Sequence, residues 1–489
     1  PAPWGEAGPE GEEAPPLALS LAEARNLAVR NNVGLELEAV TAEAAEYVAL
    51  GSWGAFDPVL DLAGTYEDIK QNPVTGFTAA NEQNLLANAA LAVPVTTGGT
   101  FVADYTRQTS ETDNPFSTFP EFTSDAFSLS FNQPLLRGAW ARSATAEQRA
   151  NEVEAARARE QQKQQLQQLL LDVEIAYWDL VAALEELDVR RLAVELGQRQ
   201  YDQNQERLRV GVGTEVDVLQ AETNLSAQEQ RFLLAANQRD AAMDALKELM
   251  FRRPAEDEGG FEGFLDAWAR PIEPQTPLPG IPDPLPSTDW VASVERAIDA
   301  RPEVARQLLA VDAAEILLRQ AEQDRLPGLD VRLEMVGSGL GESRNAAFED
   351  ALTFDFPTYR GTLAFNQPLG NRTARYFELQ ARANLRAARL GYDQLENLLV
   401  AEVRNAAREV DYQARAVEAA QKSRRFAERQ LQAESIRYEE GISTTFQVLE
   451  FQTQLAEALS AEKAALANHA KALAALRRAE GRIEEEPAP

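Results

Sequence analysis

The side chains able to do covalent or metal chemistry are few in kind. The 489 residues hold no cysteine and one histidine, His469, set in an Ala/Leu-rich helical run. Without cysteine there is no disulfide, thiolate nucleophile or cysteine-ligated metal. One histidine cannot build a histidine metal cluster, and a lone helical histidine reads as incidental rather than as the base of a Ser-His-Asp triad. Carboxylates are abundant, with 78 Asp and Glu against 47 Lys and Arg. A glycosidase-type pair of acids needs a pocket-forming fold to hold it at a fixed separation, and no such pattern is visible. The sequence therefore predicts no enzyme: no catalytic residue, no cofactor and no metal. The net charge of −31 also argues against nucleic acid, because no basic stripe is present to neutralise phosphates. Such acidity serves solubility or a cation-favouring surface or lumen.

The polar residues with a repeated spacing lie in a stretch that occurs twice. Residues 207–225 read RLRVGVGTEVDVLQAETNL and residues 437–455 read RYEEGISTTFQVLEFQTQL. Gly211 aligns with Gly441, Thr214 with Thr444, and Val218-Leu219 with Val448-Leu449. Glycine ends a helix because it takes the left-handed C′ conformation without a Cβ clash. A Ser or Thr just after it caps the next helix through its hydroxyl. Each copy is the expected tip of an αα-hairpin, and two tips 230 positions apart predict a duplicated chain.

The elements that carry these tips follow in order. Residues 1–19 are rich in Pro, Gly and Glu and read as an extended lead-in. The first repeat is predicted over 20–250: a helix from the Ser20 cap to about Gly54, strands within 57–133, a long helix over 138–210 and another over 214–250. Residues 251–287, with the run PIEPQTPLPGIPDPLP, read as an irregular Pro-rich linker. The second repeat is predicted over 288–481: a helix, strands within 328–366 flanking a loop over about 337–357, a long helix over 371–438 and a last one over 444–481. The tail, 482–489, reads as disordered.

The strands alternate. Leu60, Leu62 and Tyr66 share one face while Asp57, Asp61 and Thr65 share the other. Leu329, Val331, Leu333 and Met335 oppose Asp330, Arg332 and Glu334. Tyr359, Leu363 and Phe365 oppose Arg360, Thr362 and Asn366. Residues 127–132, FSLSFN, alternate in the same way, and residues 86–108 form a further candidate with a Thr-Thr-Gly-Gly turn in the middle. Such strands need an apolar medium on one side and water on the other. No run of about 18 apolar residues predicts a transmembrane helix, which says nothing about a β-barrel.

Length then constrains packing. In each half the two shorter helices together match the long one, at about 70 residues or roughly 100 Å. Stacked end to end beside it, they make two columns, with strands at one end and Gly tips at the other. Strands so few per chain leave open edges that need other copies.

This order resembles the TolC-like outer-membrane efflux protein family. The matching residues are the junctions FNQPL at 131–135 and 365–369 and the two Gly–Ser/Thr–Val-Leu tips. The resemblance implies a mainly α fold with β: a homotrimer sharing one outer-membrane β-barrel, with about four strands per chain, continued by a periplasmic coiled-coil barrel of helices. Six strands per chain stay open as the alternative, because two or four in the first half both satisfy strand direction. It implies the outer membrane of a Gram-negative bacterium, extending into the periplasm, and contact with outer-membrane lipid. It also implies a passive exit duct for efflux or type I secretion, opened by docking of a periplasmic membrane-fusion adaptor and an inner-membrane pump or ABC transporter.

Gate residues follow from the resemblance position by position. Asp217 and Tyr438 match the family's Asp and Tyr. Ser443 stands where the family has Arg, and Gln447 and Glu450 align with two lumen-facing acids, one of them lost here. Three copies of Glu450 would form a cation-attracting ring. Adaptor docking falls on Gly211, Gly213, Thr214, Gly441, Ser443 and Thr444. The competing reading is a periplasmic coiled-coil scaffold without a membrane barrel, which leaves the alternating strands unexplained.

Overall fold

The computed structural model describes residues 16–72, 79–114, 116–252, 260–281, 288–341 and 344–484. In chain order the elements are β1 (Leu17–Leu19), α1 (Leu21–Asn31), α2 (Val33–Ser52), β2 (Val59–Lys70), β3 (Asn81–Pro94), β4 (Thr100–Thr112) and β5 (Glu121–Pro134). Next come α3 (Trp140–Ala144), α4 (Ala146–Arg209), α5 (Glu215–Met250), α6 (Gly260–Ala269), β6 (Ile272–Pro274), α7 (Trp290–Ala300) and α8 (Pro302–Asp324). The remainder are β7 (Gly328–Gly341), α9 (Arg344–Thr353), β8 (Pro357–Asn366), α10 (Arg372–Glu439) and α11 (Thr445–Ala479). Among the described residues no helix is long and apolar enough to cross a membrane.

The chain forms two compact units, and each draws on both sequential halves. One comprises the described residues of Pro1–Val40, Arg159–Ala305 and Asp393–Pro489; the other comprises those of Thr41–Ala158 and Arg306–Tyr392.

The first unit is helical. Its main core joins Leu21, Ala24 and Ala28 of α1 to Val173, Tyr177, Leu180 and Val181 of α4 and to Leu246 and Met250 of α5. The buried Tyr177 hydroxyl donates to the Leu19 carbonyl and accepts from Thr276 N–H, both at 3.0 Å. That one phenol ties β1 and the Pro-rich segment to α4, and β1 pairs in parallel with β6 beside it. Glu174 is fully buried between Arg25 and Arg477. A second ionic cluster joins Arg301, Glu303, Glu402 and Arg478. Buried charges of this kind are tolerated because each has a partner.

Several expectations are corrected here. The single helices expected before the strands are each broken once. Asn32 is extended, and its side-chain oxygen accepts from Leu35 N–H to restart the chain as α2. Arg301 is extended before Pro302, since proline disfavours helical backbone in the residue preceding it and favours the first helical position. The expected linker carries a helix, α6, with Phe261, Phe264, Leu265 and Trp268 at helical spacing; residues 253–259 and 282–287 lie outside the described residues. The expected disordered tail begins with packed residues. Ile483 is fully buried, its carbonyl accepts from Arg25, and Glu484 accepts from Gln167. Residues 1–15 and 485–489, the rest of the expected lead-in and tail, lie outside the described residues.

The second unit is built on one antiparallel sheet of six strands in the order β2-β3-β4-β5-β7-β8. Four strands per chain is therefore corrected to six. The two extra strands are the hairpin β3–β4, paired without interruption from Glu82↔Thr112 to Pro94↔Thr100. Its turn is possible because Gly98 takes φ +84°, a left-handed conformation that suits glycine. The register sorts side chains cleanly. Leu60, Leu62 and Tyr66 lie on the same face as Leu91, Phe101, Phe127, Leu129, Leu333, Met335, Tyr359 and Leu363. Asp61, Asn88, Asp104, Ser128, Glu334 and Arg360 lie on the other.

The expected loop over 337–357 is also corrected: β7 runs on to Gly341 and α9 follows. This helix lies on the apolar face, with Phe348 edge-on to Tyr105 and Phe354 edge-on to Phe127. Gly337 and Gly339 allow the approach, since a Cβ there would meet the carbonyl oxygens of Ala351 and Ala347 at 2.3 and 2.0 Å. Beneath it Arg107 grips the fully buried Asp125 through two hydrogen bonds of 2.8 and 2.9 Å, and Tyr105 donates to the same carboxylate. The helix covers the charged pair beside the apolar side chains Tyr105 and Phe127. Residues 342 and 343 lie outside the described residues.

Candidate gate and docking site at the hairpin tips

Both tips lie in the helical unit and share one backbone design. Gly211 and Gly441 take φ +82° and +76°. At the first tip Gly211 N–H reaches Leu208 O at 3.0 Å and Val212 N–H reaches Arg207 O at 2.9 Å. At the second, Gly441 N–H reaches Tyr438 O at 3.1 Å and Ile442 N–H reaches Arg437 O at 2.9 Å. These paired bonds are the Schellman arrangement, which satisfies carbonyls that the helix end leaves open. The helix that follows begins with a reciprocal capping box in each case. Thr214 and Asp217 form it at α5, and Thr444 and Gln447 form it at α11.

The side chains differ. Asn204 of α4 is 1% exposed and sits at the centre of a polar node. Its Oδ1 accepts from the Tyr438 hydroxyl at 2.7 Å and from Gln200 at 3.1 Å, and its Nδ2 donates to the Asp217 carbonyl at 3.0 Å. The Tyr438 hydroxyl also lies 3.3 Å from the buried Thr445 hydroxyl. The Arg207 guanidinium stands 4.8 Å over the Tyr438 ring, a cation–π placement. The Asp217 carboxyl is held below the usual carboxylate range, first by the Thr214 hydroxyl, then by Thr214 N–H, the Thr445 hydroxyl and the Arg207 charge, against partial burial. Asp217 and Tyr438 are thus brought together through Asn204 and Thr445, and four helices meet in these contacts.

The other sequence-derived gate positions lie apart from the node. Ser443 donates to the buried Glu434 and lies 2.9 Å from Gln447 Oε1. Glu434 also pairs with Arg437 at 3.0 Å. Glu450 is exposed and accepts from Gln454 at 2.9 Å. Gly213 packs close to Arg207 and Leu208: a Cβ there would stand 3.0 Å from Leu208 N and 3.1 Å from the Arg207 carbonyl carbon, a tight fit. Each tip shows apolar side chains outward: Val210, Val212, Val216 and Leu219 at the first, Ile442 and Phe446 at the second. Sequence reasoning missed Asn204, Thr445 and Glu434. A Tyr at the end of α10 demanding a buried acceptor was the available signal for Asn204.

A sheet with an apolar band on one face and polar residues on the other, joined in one chain to long helices with paired capped tips, has the pattern of a β-barrel membrane protein with a helical extension. The family model described as outer membrane efflux protein matches residues 79–250 and 293–482, and the chain belongs to that family. Membership places it in the outer membrane as a channel and sets aside the scaffold without a membrane part. No curated protein matches the chain. Among solved structures it is similar to a membrane protein from Pseudomonas aeruginosa, at 18% identity over 94% of this chain and 93% of that one, with a TM-score of 0.69. The Campylobacter jejuni CmeC outer membrane channel matches at 17% identity over 95% and 86%, with a TM-score of 0.65. The outer membrane protein VceC from Vibrio cholerae matches at 16% over 94% and 96%, with a TM-score of 0.65. At these identities the shared property is the fold.

Proposed function

We propose that the chain is the outer-membrane exit duct of a tripartite efflux or type I secretion system. It works as a homotrimer: the sheets close one barrel in the outer membrane, and the helices form a passive tube in the periplasm. The observation that carries this reading is a band across all six strands in which Leu60, Leu62, Leu91, Phe101, Leu129, Leu333, Met335, Tyr359 and Leu363 share one face while Asp61, Asn88, Asp104, Ser128, Glu334 and Arg360 share the other. Lipid takes the first face and a water-filled lumen takes the second. The duct does no catalysis and binds no cofactor. Energy comes from an inner-membrane pump or ABC transporter, reached through a periplasmic membrane-fusion adaptor.

The tips are the closing end. The node around Asn204 ties the second hairpin to the first. A net gain of about 1 kcal/mol per chain from such hydrogen bonds, repeated in three chains, favours the closed arrangement by roughly two orders of magnitude. An adaptor opens it by binding the open arrangement more tightly; a full switch takes about 5.5 kcal/mol of differential binding. The docking surface is formed by the Gly211–Thr214 and Gly441–Thr444 tips with their outward valines, Ile442 and Phe446. Three copies of the exposed Glu450 attract cations at the mouth. The test is membrane fractionation followed by planar-bilayer recording. The protein should sediment with outer membrane and conduct weakly; a soluble protein, or one with no conductance even in gate variants, would overturn the reading.

A further inference from the structure

The sheet ends in two open edges. β2 pairs with β3 over all twelve of its residues, and every residue of β2 except Ile69 is exposed. β8 is exposed along its whole length of ten residues. A long edge strand with an apolar face is a template for another strand, and β2 carries neither an internal proline nor a bulge to blunt it. Because the four strands between them are all antiparallel to their neighbours, β2 and β8 run in opposite directions. The β8 strand of one copy therefore meets β2 of the next in antiparallel sense. The apolar face stays continuous, with Tyr359, Leu363 and Phe365 beside Leu60, Leu62 and Tyr66. On the polar face Arg360 of β8 comes beside the acids Asp61 and Glu67 of β2. One copy cannot close alone, since the smallest membrane barrels need about eight strands.

We propose that β8 pairs with β2 of a neighbouring copy and that three copies close one barrel of eighteen strands, rather than the twelve that four strands per chain would give. This rests on the reading of the chain as a trimeric duct. The extra hairpin belongs to the wall and is no appendage. Pairs run from Thr100↔Asn132 to Glu111↔Glu121 on its β5 side and from Lys70↔Asn81 to Val59↔Ala92 on its β2 side. Its turn is knit to the junction after β5: Trp140 N–H donates to Thr97 O at 2.9 Å, and Gln133 bonds both the Thr97 hydroxyl, at 2.9 Å, and its carbonyl, at 3.0 Å. A Cβ at Gly98 would stand 2.3 Å from Gly138 O.

With strands about 4.8 Å apart and tilted about 40°, twelve strands give a backbone radius of about 12 Å and eighteen give about 18 Å. The cross-section of the exit roughly doubles. α9 packs on the apolar face, so it lies outside the barrel and leaves the lumen clear. The cargo window at the outer membrane is accordingly wider than four strands per chain would allow.

The chain has no cysteine, so a pair can be introduced on a clean background. Thr65→Cys with Thr362→Cys places one thiol on the polar face of each edge. In outer membranes from cells making the full chain, a short bis-maleimide should convert this pair to linked dimers and trimers, while either single variant stays at the one-chain mass. Electron cryo-microscopy of the unlinked protein in lipid nanodiscs should then show three copies and eighteen strands. A membrane trimer with twelve strands would overturn the eighteen-stranded barrel and leave the duct reading standing. Linkage confined to the one-chain mass, or no membrane trimer at all, would overturn both.

Discussion

The two tips share a backbone and differ in what they bury. Counted 230 positions apart, Asn204 corresponds to Glu434, Leu208 to Tyr438, Glu215 to Thr445 and Asp217 to Gln447. The glycines, the Schellman bonds and the capping boxes coincide at both. Yet Tyr438, Thr445 and Leu449 are buried, whereas Leu208 and Leu219, the first tip's equivalents of Tyr438 and Leu449, are exposed. The second tip turns its side chains inward, and the first supplies Asn204 and Asp217 to meet them. Duplication therefore preserved the turn chemistry and let the side chains specialise: one hairpin offers the acceptors and the other brings the phenol. In the proposed duct a structural turn would thereby serve as a latch, with no change in its backbone.

Four comparisons separate these roles. The largest effect is expected from Asn204→Leu. It strips a buried partner from the Tyr438 hydroxyl, and an unsatisfied buried group costs about 1–3 kcal/mol. Hydrogen exchange should quicken at both tips, and bilayer conductance should rise several-fold. The corresponding change in the other hairpin, Glu434→Leu, should do less, because Arg437 is 54% exposed and water replaces the lost pair.

Next comes Asp217→Ala against Gln447→Ala. Each removes a capping-box side chain, worth about 1 kcal/mol, but only the first also removes the link to Thr445 and Arg207. Thermal unfolding should shift similarly for the two, while conductance should rise for Asp217→Ala alone. Equal conductance in both variants would assign Asp217 to capping only.

A smaller effect concerns pH. The Asp217 carboxyl is depressed, chiefly by Thr214. A depressed acid stabilises the folded state above its unfolded value, about 3.9, and that stability is lost as pH falls through the lower folded value. Closure should thus be unchanged between about pH 7 and pH 5, and the Asp217 contribution should disappear only below about pH 4. Conductance against pH checks this; a rise already at pH 6 would point to a different group. The smallest effect is expected from Ser443→Arg, which sets a cation beside Glu434. The introduced guanidinium would lie at the solvent-facing tip, and Glu434 already pairs with the half-exposed Arg437, so the gain is worth up to about 1 kcal/mol; residual conductance should fall slightly, and less so at high salt.

The sequence carried the strand faces well, because Leu60, Leu62 and Tyr66 or Leu329, Val331 and Leu333 alternate with charges. It carried the tips well, because glycine followed by Thr has one strong local reading. It was ambiguous for β3, where Ala87, Ala89, Ala90 and Ala92 occupy both faces and erase the contrast. The helix α9 was hidden by the Gly- and Ser-rich residues before it, since its partners Tyr105 and Phe127 are more than 200 positions away. The break at Arg301 was legible from Pro302, and the one at Asn32 was not. Within the site, Asp217 and Tyr438 were reachable through the family resemblance. Asn204 was not, because a buried amide among Gln, Asn and Arg looks like any solvated helix position until its partner 234 residues on is known.

The most direct test of the latch is single-channel recording of the wild-type protein beside Asn204→Leu and Asp217→Ala in the same planar bilayer. The predicted result is a small wild-type conductance that increases in both variants, more in Asn204→Leu. A wild-type channel that is already open, or variants that conduct no better than it, would contradict a closed end held by this node.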